Sequence, residues 1–84
     1  MSKKKKLLAA ARNNPQGLRF AELLALVAAA GFEERNQTGS HRIFSHPTAG
    51  VPKLNLQEGA NGMAKPYQVD QVLDCIEAFR LEVK

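Results

Sequence analysis

Two histidines, one cysteine, one tyrosine and a handful of dispersed cations are the side chains of this sequence with chemistry to offer. His41 and His46 are five residues apart. On a strand that odd separation places them on opposite faces, which makes them poor partners as metal ligands or as an acid–base pair unless a bulge near Ser45 resets the phase. Histidine is the side chain that exchanges a proton near neutral pH without special help, so either one alone suits general acid–base work. Cys75 is a lone thiol, which excludes an internal disulfide and any zinc site built on cysteines. Its place on a helical stripe makes it a small core residue rather than a nucleophile. Tyr67 has two readings of equal weight, a ring that stacks on a nucleobase or one that covers a helix end. His46 is expected to solvate a strand end. Gly59 and Gly62 make no phosphate loop, because no Gly-Lys-Ser/Thr follows them.

The charge is unevenly spread. The chain carries +4, and Lys3 to Lys6 equal that excess by themselves. Between residues 35 and 65, Arg35, Arg42, Lys53 and Lys65 face Glu58 alone. From 66 to 84 acids prevail, with Asp70, Asp74, Glu77 and Glu82 against Arg80 and Lys84. A basic middle suits a polyanionic ligand, with a solvated lysine face as the plain alternative. Lys3 to Lys6 read equally as a phosphate contact or as a frayed terminus.

The elements that must position these groups follow from periodicity. Residues 3–12 read as a short basic helix carrying Leu7, Leu8 and Ala11 on one stripe, stopped by Asn13-Asn14-Pro15. A second helix runs from Phe20 to Ala30 with Phe20, Leu23, Leu24 and Val27 at helical spacing, Glu22 in its first turn and Gly31 to end it. Three strands follow, at Phe32 to Gln37, Ser40 to His46 and Val51 to Gln57, separated by Thr38-Gly39 and by Pro47 to Gly50. A glycine-bearing loop at 58–65 leads to Pro66, which opens a last helix to about Glu82 striped by Val69, Val72, Leu73, Ile76 and Phe79 or Arg80.

These elements define an α+β domain, α(α)βββα, with a three-stranded antiparallel sheet, helices on one face and the other face wet. Alternation gives Phe32, Phe44, Leu54 and Leu56 to the helix side. It gives Glu33, Arg35, His41, Ile43, Lys53 and Asn55 to the open side. Eighty-four residues, 44% of them hydrophobic and none of them tryptophan, support one core, so residues 1–84 are expected to form a single domain. A deep multi-subsite cleft and a large cofactor pocket are excluded on the same ground. The longest apolar run, Leu23 to Ala30, is too short to cross a bilayer, and the five apolar residues before Arg12 are too few for a signal peptide. A cytoplasmic chain without membrane, metal or cofactor is the expectation.

Gly39-Ser40-His41-Arg42-Ile43-Phe44 resembles the Gly-Ser-His-x-x-Phe signature of HicA-type toxins, small ribonucleases of bacterial toxin–antitoxin systems. The stretch from Pro15 to Phe32 is similar to the Arg-Phe-x-Glu-Leu…Gly-Phe lead-in of one branch. Asn55-Leu56-Gln57 and Ala64-Lys65-Pro66-Tyr67-Gln68-Val69 resemble its second half, so the likeness covers residues 15–80, with 1–14 as an added basic helix. The resemblance implies a double-stranded-RNA-binding-domain-like fold, His41 as the active histidine, mRNA as substrate and a HicB-type antitoxin protein as partner. The sequence departs from the family at Pro52-Lys53-Leu54-Asn55, where many relatives carry a second histidine.

RNA brings its own nucleophile in the 2′-hydroxyl. A base or acid near neutrality and cations on the phosphate are then enough. His41 suits the first task, and Arg35, Ser40, Arg42, Lys53 and Lys65 are the expected RNA contacts. A non-catalytic RNA-binding module on the same fold is the alternative. A winged-helix DNA binder ranks lower, since Phe20 to Ala30 offers no basic or amide side chain to a groove. A plain interaction protein is the last alternative.

Overall fold

The computed structural model describes residues 3–39 and 41–84. Among them the helices are α1 (Lys3–Asn13), α2 (Phe20–Ala29) and α3 (Pro66–Ala78), and the strands are β1 (Glu33–Thr38), β2 (His41–Ser45) and β3 (Leu54–Gln57). The strands form one antiparallel meander in the order β1-β2-β3, so β1 and β3 are its two edges. This is a small α+β domain with an open three-stranded sheet.

The core forms as alternation and helical spacing require. Phe32, Phe44, Leu54 and Leu56 are all buried, and Phe44 lies directly opposite Leu54 on the neighbouring strand. Phe20, Leu23, Leu26 and Val27 of α2 and Val69, Val72 and Ile76 of α3 join them in one contiguous cluster. Ala11 belongs to the same cluster, and α1 packs against both α2 and α3, so the basic helix is built onto the core. Its Lys3 to Lys6 stay exposed.

Helix ends explain where the chain turns. Gly31 takes φ 100° after α2, and the amides of Gly31 and Phe32 bond back to the carbonyls of Ala28 and Val27 at 3.1 and 3.2 Å. This double bond is the Schellman arrangement, in which a left-handed residue satisfies the last helical carbonyls. α3 repeats it without a glycine. Arg80 adopts φ 50°, and the amides of Arg80 and Leu81 bond to the carbonyls of Glu77 and Ile76. The helix therefore stops at Ala78, short of the expected Glu82. The reversed chain buries Val83 and joins the Lys84 amide to the Ala29 carbonyl at 3.0 Å.

Two further expectations need correction. Val51 to Lys53 precede β3 and do not belong to it: Val51 instead closes a turn, its amide on the Thr48 carbonyl. The β1–β2 register slips between Glu34 and Asn36, so Arg35 sits in a bulge and the alternation of β1 changes phase there.

Candidate functional site

His41 opens β2 directly after the hairpin turn that carries Gly39 at φ 58°, and its backbone pairs with Gln57 of β3. That pairing sets Asn55 two residues along β3, on the same open face. Its Oδ1 lies 3.2 Å from His41 Nδ1. A carbonyl oxygen only accepts, so this bond puts the ring proton on Nδ1 and turns the Nε2 lone pair outward. An exposed imidazole held in this tautomer is set up to take a proton. Asn55 was expected on this face, but its role in orienting the ring was not. The signal for it is the His41–Gln57 register, which no single strand discloses.

His41 lines one end of an open groove of about 650 Å³ that runs along the β3 edge toward α3. Lys53, Asn55 and Gln57 form its strand side. Tyr67, Gln71 and Asp74 form its helix side, with Phe79 at the far end. Lys53 is exposed and makes no ion pair among the described residues. The other expected phosphate contacts are engaged elsewhere. Arg42 shares the helix-side face with Phe44, and its guanidinium grips Glu34 bidentately, Nε to Oε2 and Nη2 to Oε1, each at 2.7 Å. This pairing holds the Glu34 carboxyl below the usual carboxylate range and pushes Arg42 up. Arg35, in its bulge, lies 3.6 Å from Glu33, both side chains exposed. Lys65 Nζ donates to Gln57 Oε1 at 2.9 Å in a half-buried contact. Ser40 lies outside the described residues. The structure thus sets His41 and Lys53 on one groove, pairs Arg35 and Arg42 with glutamates, and ties Lys65 to a neutral amide.

His46 has a structural task in place of the expected solvation. Its Nδ1 accepts the Thr48 amide at 3.1 Å, its Nε2 donates to the Ala30 carbonyl at 2.9 Å, and its ring meets Phe32 edge-on with centroids 5.0 Å apart. It fastens the end of β2 to the turn after α2. Cys75 is buried, and that burial raises its thiol pKa, so it is an inert core group as expected. Among the described residues no three metal-ligating side chains converge, and no helix is long and apolar enough to cross a membrane.

No family model, curated protein or solved structure matches this chain. The functional reading therefore rests on the residues and their geometry.

Proposed function

We propose that the domain is a metal-independent endoribonuclease in which His41 acts as general base. The observation that carries this reading is the His41 Nδ1 to Asn55 Oδ1 contact of 3.2 Å, which turns Nε2 outward at the groove that Lys53 also lines. In the proposed step, Nε2 takes the proton of an RNA 2′-hydroxyl. The 2′-oxygen forms a bond to the adjacent phosphorus, and the bond from phosphorus to the 5′-oxygen breaks. That oxygen leaves with a proton from water. Lys53 steadies the charge on the phosphate oxygens. The products are a 2′,3′-cyclic phosphate and a 5′-hydroxyl. With one histidine, acid assistance to the leaving group is missing, so turnover is expected to be modest.

Two features support the wider setting. The order helix, three strands, helix suits a double-stranded-RNA-binding-domain-like fold. The Gly39 to Phe44 segment resembles the HicA-type signature, and an antitoxin that covers the open sheet face would silence His41. A cytoplasmic site of action fits an mRNA substrate. The test is cleavage of single-stranded RNA with a strong chelator present, followed by end-group analysis. Cyclic phosphate ends that vanish in His41→Ala are expected. Cleavage that needs a divalent ion, or that persists in the variant, overturns the reading.

A further inference from the structure

Among the described residues Tyr67 is the most exposed large apolar side chain, at 57%, yet its phenol is tied down. Gln68, only 4% exposed, donates through Nε2 to the Tyr67 oxygen at 3.3 Å and accepts the Gln57 amide on Oε1 at 3.1 Å. A buried glutamine thus couples the ring of Tyr67 to the last residue of β3. An aromatic ring that is both open to solvent and restrained in direction can accept a flat partner with little loss of side-chain freedom.

The charges around the groove give that partner a direction. Lys53 stands on the strand side, while Asp74 lines the helix side, and Asp70 and Glu77 are also exposed on α3. A phosphate chain is drawn to the strand side and repelled from α3, so an RNA held at His41 would have to turn its base, not its backbone, toward the helix. Gln71 stands beside Tyr67 in the groove and has no hydrogen-bond partner among the described residues. Its amide offers both a donor and an acceptor, which suits the mixed edge of a base. A groove of about 650 Å³ has room for one base and part of its neighbour.

We infer that the β3–α3 groove is a nucleobase subsite in which Tyr67 is the stacking platform and Gln71 meets the base edge, seating the nucleotide next to the one whose 2′-hydroxyl His41 deprotonates. The inference rests on the ribonuclease reading for its choice of ligand. An added peptide strand fits less well: β3 is only four residues long, and Gln68 already occupies the Gln57 amide.

The sequence supplies the probe. Tyr67 is the single tyrosine and there is no tryptophan, so the intrinsic emission of the chain reports on this ring alone. A single-stranded oligonucleotide with 2′-O-methyl riboses, which cannot form the attacking oxyanion, is titrated against its abasic counterpart of equal length. Quenching by the base-bearing strand alone is expected. Tyr67→Ala should lower affinity, read by anisotropy of a labelled strand, by roughly 5- to 150-fold, the usual effect of removing one stacking ring. Tyr67→Phe should keep most of it, and a melt confirms that both variants are folded.

Binding without quenching, or equal quenching by the abasic strand, overturns the subsite and leaves the role of His41 to the cleavage assay. Quenching by the base-bearing strand in a protein that never cleaves RNA supports the subsite and sinks the nuclease. Failure to bind either strand overturns both, and quenching by an extended peptide instead would make the groove a strand-addition site.

Discussion

His41→Ala and Phe44→Ala should separate chemistry from folding on one strand, because the two side chains lie three residues apart on opposite faces of β2. His41 is exposed, and its side-chain hydrogen bond is with Asn55, also exposed. Its removal empties no cavity and strands no buried polar atom, so the stability cost should stay within about 0.5 kcal/mol. Loss of the general base should lower cleavage by roughly 10²- to 10⁴-fold. Phe44 is 5% exposed and pairs with Leu54 over the helices, so its truncation should cost roughly 3–5 kcal/mol. A domain of this length commands roughly 4–13 kcal/mol in all. The Phe44→Ala protein should therefore melt at least 12 °C lower, at roughly 4–8 °C per kcal/mol, or fail to fold. Phe44→Leu, a gentler truncation, keeps a folded comparator. Circular-dichroism melts and cleavage of a fluorogenic RNA are measured for all three. A His41→Ala protein that melts several degrees lower puts the ring in the core, and one that cleaves at the wild-type rate puts the chemistry elsewhere.

Other substitutions probe the neighbours. Asn55→Asp keeps an acceptor for the Nδ1 proton and adds a charge that favours the imidazolium, so the acid limb of the rate profile should move to higher pH; an unmoved limb would detach Asn55 from the ring. Lys53→Ala should reduce the log–log salt slope of RNA binding by about 0.7–0.9, the share of one phosphate contact, whereas Arg42→Ala should leave the slope unchanged. Glu34 has a depressed pKa through Arg42, so the pair stabilises the fold above the usual carboxylate range and that contribution is lost as pH falls through the lowered value. Melts of Glu34→Gln and wild type should converge in acid and differ at neutrality. Gly31→Ala forces a side chain to φ 100° with its Cβ 2.8 Å from His46 Nε2, and denaturant titration should show a loss of about 1–3 kcal/mol or more.

Much of this architecture could be read directly from residue order. Phe20, Leu23 and Val27 declared the buried stripe of α2, Gly31 its end and Pro66 the start of α3, because each signal is local to one turn of chain. Phe32, Phe44, Leu54 and Leu56 declared the buried sheet face through simple alternation. The end of α3 was hidden because Arg80 holds a left-handed conformation that normally advertises itself with glycine. The basic surface was overestimated because charge counts carry no register: Glu34 meets Arg42 only once β1 and β2 are aligned, with the slip at Arg35 just beyond. His46 looked like a loop residue because its partners, Ala30 and Phe32, precede β1, the opposite arm of the hairpin.

The bulge in β1 has a bearing on how the chain behaves in a crowd. An edge strand is an open template for a second copy, and a flat apolar edge invites fibres. β1 reads Glu-Glu-Arg-Asn-Gln-Thr, six polar residues, and the slip at Arg35 interrupts the even spacing that an incoming strand must match. Sheet growth through this edge is thereby discouraged. The chain can be expected to tolerate high concentration without stacking strand on strand, and repairing the bulge while introducing valines along β1 should make the domain assemble through this edge.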